Sequence, residues 1–103
     1  MQRRLQDEVD RVLKGQAPTG AQLDQLVYTR NVLNETLRLY PPAAGLERIT
    51  AKPVQLMGYD LPAGVAVSMR IQSAHVDPRF WTSPLEFKPD RWDSQYDHLV
   101  SFA

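Results

Sequence analysis

Cysteine is absent from this chain of 103 residues. The absence excludes disulfide bonds, thiolate metal ligands and a thiol nucleophile formed by the chain itself. Net charge is absent too, because twelve basic residues balance twelve acidic ones. We therefore expect no binding to nucleic acid, which needs a basic field. Long apolar runs are also lacking, since none approaches the roughly 20 residues that a membrane span needs.

The composition that remains is that of one small globular domain. Hydrophobic residues make up 43% of the chain and charged residues 23%, which argues against disorder. Seven of the eight prolines lie after Tyr40, so the first part is free to be helical and the second is broken by turns. We predict an α+β fold that is mainly helical at first, followed by a small antiparallel β-sheet or hairpin and an ordered coil.

Two helices are predicted before the prolines begin. The first covers residues 2–14, where the apolar positions recur at helical spacing and Gly15 follows as a left-handed cap. The second covers residues 29–39 and stops at a double proline. Between them, Thr19 and Gln22 have the spacing of a capping box that opens a short helical turn. The apolar positions of the two helices are Leu5, Val9, Val12 and Leu13, then Val32, Leu33, Leu37 and Tyr40.

Extended segments are predicted after Pro42. Residues 46–50 and 54–57 have the character of strands, and residues 65–69 alternate as a half-buried strand does. Residues 61–64 suit a type I turn, and residues 70–75 suit a short helix. From residue 76 to residue 100 no period is present, but four aromatic side chains need burial, so this coil should be ordered. They are Phe80, Trp81, Phe87 and Trp92.

Glu35 and Arg38 lie three residues apart on the second helix, which taken alone indicates a surface ion pair. The ordered set of motifs is more specific. Glu35-Thr36-Leu37-Arg38 precedes Leu46-Glu47-Arg48, Leu61-Pro62-Ala63-Gly64, His75-Val76-Asp77-Pro78-Arg79-Phe80-Trp81 and Phe87-Lys88-Pro89-Asp90-Arg91-Trp92. Over nearly the whole chain this string resembles the C-terminal half of cytochrome P-450, a heme-thiolate monooxygenase.

The resemblance assigns the segments to parts of one partial domain, 1–103. Residues 2–14 correspond to the J helix, residues 29–39 to the K helix, 46–69 to the small β region, 70–75 to a short helix and 76–100 to the coil called the meander. Phe102 would begin the heme-binding loop Phe-x-x-Gly-x-Arg-x-Cys-x-Gly. We therefore expect a fragment whose axial cysteine would lie beyond Ala103, so that the chain holds no metal ligand and no catalytic residue, and is inactive alone.

The resemblance also implies site residues. Glu35, Arg38 and Arg91 would form a structural triad that positions the ligand loop, because a guanidinium holds a carboxylate at two points. Arg48 and His75 would contact the cofactor, against the alternatives of a solvated arginine and a packing or capping histidine. A pocket for substrate would be lined by Ala43, Ala44 and Gly45, against the alternative of a simple exit turn.

The implied chemistry belongs to the complete protein from which such a fragment would come. It would use heme b, a small organic substrate and a redox partner, either ferredoxin or a flavoprotein reductase. We expect a cytoplasmic location, with no membrane segment in this stretch. Two alternatives stay open: a small non-catalytic interaction module, and a heme-thiolate enzyme with peroxygenase or isomerase chemistry. The basic residues of the first helix would form a solvated face or, alternatively, contact a reductase; they are Arg3, Arg4, Arg11 and Lys14.

A fragment of this kind should not fold well by itself, because its apolar faces would lack their partners. We expect the isolated chain to be aggregation-prone or molten, with poorly dispersed amide signals in its NMR spectrum. Sharp, well-dispersed signals from a soluble monomer that unfolds cooperatively would contradict this expectation and favour the interaction module.

Overall fold

The computed structural model describes residues 1–93. Four α-helices occur there: α1 (Gln2–Leu13), α2 (Gly20–Leu23), α3 (Val27–Leu39) and α4 (Ile71–His75). A 3₁₀ helix, η1, covers Pro89–Asp93. Within this part of the chain, no helix is long and apolar enough to cross a membrane. The end of the predicted coil, residues 94–100, and Phe102 lie outside the described residues.

The helix boundaries differ slightly from those predicted. Helix α1 ends one residue early because Lys14 itself adopts the left-handed conformation, with φ of 51°. Helix α3 starts two residues early, at Val27. The capping box of α2 is confirmed, since the Thr19 N–H donates to Gln22 Oε1 at 3.0 Å.

Four short strands form two antiparallel pairs, which confirms the α+β class. They are β1 (Leu46–Ile49), β2 (Val54–Leu56), β3 (Tyr59–Leu61) and β4 (Ala66–Met69). Strand β1 pairs with β4, so that Leu46 lies opposite Met69. Strand β2 pairs with β3 in a hairpin.

The hairpin corrects two expectations. Met57 was expected to be extended, but it lies in the turn with φ of 50°, and Gly58 follows with φ of 83°. Two successive residues with positive φ are typical of the tight turns whose twist matches that of paired strands. Strand β3 was missed because it is only three residues long and ends at Leu61, where the sequence indicated a turn.

Gly45 lies at the end of the turn that follows α3, where the backbone packs closely against strand β4. A Cβ built on Gly45 would lie 2.8 Å from the carbonyl oxygen of Met69, closer than real side chains come. On the other side of this junction, the Gln72 N–H at the start of α4 donates to the Ala44 oxygen at 3.1 Å. The turn between α3 and β1 is therefore held to both β4 and α4.

The core is built on a polar face of α3. Tyr28, Asn31, Glu35 and Arg38 are buried, and they recur at the spacing of one helix face. Two of the apolar residues named from the sequence are instead largely exposed: Leu33 by 59% and Tyr40 by 71%. The elements packed on the buried face are η1, α1 and α4.

Substituting Gly45 with alanine should loosen the sheet. The added methyl group would push against the Met69 carbonyl, and overpacking of this kind costs about 1–3 kcal/mol. In the complete protein that carries this chain, we expect amide hydrogen exchange in β1 and β4 to accelerate roughly 5- to 150-fold. The matched control is Gly20→Ala, because a Cβ at Gly20 meets nothing within 4 Å. Unchanged exchange in Gly45→Ala would contradict the prediction, because it would mean that the backbone at Met69 accommodates the methyl group without loss of stability.

Candidate functional site

Glu35 and Arg38 lie one turn apart on α3, and both side chains are fully buried. The Arg38 guanidinium holds the two carboxylate oxygens at once. Its Nε donates to Oε2 at 2.9 Å and its Nη2 donates to Oε1 at 2.9 Å. This two-point contact is the geometry that the planar arginine fork permits and a lysine ammonium does not.

Residues of η1 and of the coil before it complete the coordination of Glu35. Arg91 Nε donates to Oε1 at 3.0 Å. The backbone N–H of Lys88 donates to the same oxygen at 2.8 Å, and Trp92 Nε1 donates to Oε2 at 3.0 Å. The carboxylate thus accepts five hydrogen bonds, which compensates for its removal from water.

The other N–H groups of the two arginines bind the irregular coil between α4 and η1. Arg38 Nη1 donates to the carbonyls of His75 and Pro84 at 2.8 and 2.6 Å. Arg91 Nη1 donates to the Thr82 carbonyl at 2.6 Å. Further bonds reach Ser83 from Arg91, and Glu86 from both arginines. A segment without regular secondary structure is thereby fixed through its carbonyl groups.

Two tryptophans cover this network, and both were expected to need burial. Trp81 is 1% exposed and Trp92 is 0% exposed, and their rings meet edge to face with centroids 5.5 Å apart. Trp81 also lies beneath the Arg38 guanidinium, at 5.1 Å. Phe80 departs from the expectation, since it is 53% exposed. The tryptophans exclude water from the ion pairs, which strengthens them.

The charges in the network set the ionisation of Glu35. Burial by itself raises the pKa of this carboxyl, but the bonds from Arg38 and the Lys88 N–H, with the charges of Arg38 and Arg91, outweigh burial and hold the pKa below its ordinary value. A carboxyl whose pKa is lowered on folding stabilises the fold above its unfolded pKa, and that contribution is lost as the pH falls through the folded pKa. Glu35 is therefore a permanently charged anchor at neutral pH.

The remaining candidate residues lie on β1, on α4 and in the turn between α3 and β1. Arg48 is exposed on β1 and donates to the Glu47 carbonyl at 3.0 Å. His75 is buried at the end of α4, and its carbonyl belongs to the Arg38 network.

Ala44 and Gly45 line an open cavity of about 280 Å³ with polar residues of β4 and α4. Ala43 is exposed in the same turn. Among residues 1–93, no cluster of three or more potential metal ligands occurs.

Two contacts of α1, and one between α3 and η1, were not predicted from the sequence. Arg4, expected in a solvated face or a reductase contact, pairs with both carboxylate oxygens of Asp90 on η1 at 2.9 and 3.0 Å. Glu8 is buried against the start of α3. Asn31 Nδ2 donates to Asp93 Oδ1 at 3.0 Å. No spacing in the sequence signals these pairs, because each joins residues at least 20 positions apart.

The chain is similar to known proteins over nearly its whole length. The family model described as Cytochrome P450 matches residues 1–103. Cyclooctat-9-en-7-ol 5-monooxygenase of Streptomyces melanosporofaciens is 39% identical over 92 residues, which cover 89% of this chain and 20% of the relative. Human cytochrome P450 3A5 is 41% identical over 100 residues, or 96% of this chain and 20% of the relative. Mouse cytochrome P450 3A13 is 42% identical over 102 residues, 98% and 20% respectively.

Arg38→Lys should destabilise the structure strongly. The ammonium would leave one carboxylate contact and several carbonyls unsatisfied, and breaking a buried pair costs about 3–5 kcal/mol. The measurement is the free energy of unfolding in urea, in the complete protein that carries this chain. The matched control is Arg79→Lys, because Arg79 pairs with Asp77 while 78% exposed and should change stability by less than about 1 kcal/mol. Equal effects of the two substitutions would contradict the prediction.

Proposed function

This chain belongs to the cytochrome P450 family, and from that membership we propose that the complete protein is a heme-thiolate monooxygenase that inserts one oxygen atom of O₂ into a small organic substrate. Members of the family are oxidoreductases that bind heme and iron. The chain spans about a fifth of the length of the curated relatives it matches, so the activity, substrate and partners of the whole protein all belong to the proposal.

The observation that carries the proposal is the grip of two arginines on Glu35. Arg38 comes from α3 and Arg91 from η1, and together they lock the helix to the coil through one carboxylate. We assign Glu35, Arg38 and Arg91 the role of a structural triad. In a heme-thiolate enzyme the triad would hold the coil that leads to the cysteine loop. None of the three would transfer a proton, because a guanidinium stays protonated and the lowered pKa of Glu35 keeps its carboxylate ionised.

The cofactor would be heme b, and we propose that Arg48 and His75 contact it. A largely buried heme carries two propionates, which need cationic partners. Arg48 suits that role, because its exposed guanidinium makes one hydrogen bond, to Glu47, within residues 1–93. We also propose His75, which lies at the end of α4 and is 1% exposed, as a contact of the cofactor. When bound, the heme with its cysteine thiolate supplies the oxygen activation.

The substrate side of the proposal is the turn between α3 and β1. Ala43 and Ala44 are small and exposed, so they would leave room for an organic molecule. Gly45 lies in the same turn, but its close approach to the Met69 carbonyl explains the glycine without a substrate.

The remaining parts of the proposal concern partners and location. The reaction needs two electrons, for which we propose a ferredoxin or a flavoprotein reductase. For the location of the complete protein we propose the cytoplasm. The chain has no cysteine of its own, so we propose that these 103 residues alone are inactive.

The test is the absorption spectrum of the complete protein, reduced and exposed to carbon monoxide. A cysteine thiolate on the iron gives a Soret band shifted to long wavelength, and we expect that shift together with one heme per protein. Arg91→Lys should lower the heme content at least severalfold, because the coil would lose its anchor. Arg79→Lys serves again as the control and should retain full heme content. A protein that binds no heme, or gives no thiolate spectrum, would overturn the proposal.

A further inference from the structure

Helix α3 begins without a cap of its own. The residue at the N-cap position is Leu26, which makes no side-chain hydrogen bond to the helix. The first four N–H groups of any helix lack partners within it, and a capping side chain normally satisfies those of the second and third helical residues. In α3 these residues are Tyr28 and Thr29. Because Tyr28 is buried, its N–H needs a partner from the protein.

Glu8 of α1 provides that partner. Its Oε1 accepts the Tyr28 N–H at 2.9 Å, and its Oε2 accepts the Thr29 N–H at 2.7 Å. The Thr29 hydroxyl donates to Oε2 as well, at 2.8 Å. Glu8 is the one residue of α1 that is buried, with 7% of its surface exposed. One carboxylate thus occupies the position that a serine or aspartate takes in a local cap.

We propose that Glu8 is a positioning residue. It supplies the N-cap of α3 from a different helix of the same chain, and it thereby sets the rotation at which α3 presents Glu35 to η1. The inference rests on the proposed function, since it concerns the triad that holds the coil before the heme ligand. It assigns a role to the first helix, which that function leaves without one.

The geometry of α3 shows how a cap at one end acts on the triad. Tyr28, Asn31 and Glu35 lie on one face of the helix, so a rotation that displaces Tyr28 displaces Glu35 as well. A shift of one residue turns a helix by about 100° and would carry Glu35 away from Arg91. The two amide bonds to Glu8 define the starting residue, so they oppose such a shift.

Helix α1 also holds η1, which makes it a bridge between the two elements that the triad joins. Arg4, one turn before Glu8, stacks on the Tyr28 ring at 3.9 Å and pairs with Asp90 of η1. Farther along, Asn31 of α3 bonds to Asp93 of η1. On η1 these contacts lie on both sides of Arg91 and Trp92, the two residues that bind Glu35, and α1 contributes the one at Asp90.

The electrostatics support a charged Glu8. Burial raises the pKa of this carboxyl, but the Tyr28 and Thr29 N–H groups, the Thr29 hydroxyl and the nearby Arg11 outweigh burial and lower the pKa. A negative charge is also favourable beside the positive end of a helix. An amide side chain would keep the shape, but it would lose the charge and oppose one N–H donor with another.

The experiment compares Glu8→Gln with wild type in the complete protein. Hydrogen exchange followed by mass spectrometry reports on the Tyr28 and Thr29 amides, which we expect to exchange about 5- to 30-fold faster in the variant. Glu8→Asp should fail in the same way, because its carboxylate is one methylene too short to reach both amides. The control is Asp10→Asn, which removes the same charge from an exposed position of α1 and should leave the exchange unchanged.

The same variants are then examined by their reduced carbon monoxide spectrum. If Glu8 positions the triad, Glu8→Gln should lower the fraction of the thiolate form at least twofold, and Asp10→Asn should not. Unchanged amide exchange in Glu8→Gln, or equal acceleration in Asp10→Asn, would overturn the cap. Faster exchange with an unchanged thiolate fraction would overturn the positioning role. Absence of a thiolate spectrum in the wild type would instead overturn the proposed function. The exchange of the Tyr28 and Thr29 amides would still test whether Glu8 caps α3.

Discussion

A single buried carboxylate organises this part of the molecule. Glu35 accepts hydrogen bonds from Arg38, Lys88, Arg91 and Trp92, and so connects α3 to the coil and to η1. The coil has little regular secondary structure, and its carbonyls are held by the same arginines. Without the carboxylate, two guanidinium groups would be buried together without a counter-charge, which is unfavourable in a low dielectric. The order of the coil therefore depends on this group.

The network explains why α3 turns its polar face inward. A buried ion pair is a weak source of stability, because desolvation offsets the attraction, but it tolerates few alternative arrangements. Here both carboxylate oxygens and most guanidinium N–H groups have partners of fixed geometry, as a buried polar network requires. Apolar packing of Leu33 and Leu37 against the coil would have no such geometric demand. We infer that the buried face of α3 serves to fix the position of the coil and η1 rather than to bury apolar area.

The sequence allowed several local features to be predicted, since their causes lie within a few residues. The helical spacing before the double proline, the capping box of Thr19 and Gln22, and the punctuated strands all reflect local sterics and hydrogen bonding. The spacing of Glu35 and Arg38 put them on one face, and the ordered motifs indicated the family. The hairpin turn at Met57 escaped prediction, because methionine is uncommon where φ is positive.

The residue types and their order thus determined the helices, the α+β class, the family and the placement of Glu35 and Arg38 on one helix face. Only the tertiary structure decided which face of α3 is buried, since helical periodicity defines a face but not what packs on it. It also decided that Arg4 reaches Asp90, that Asn31 reaches Asp93 and that Glu8 caps a helix 20 residues away. Contacts of this kind depend on how the chain returns upon itself, and no local spacing encodes that path.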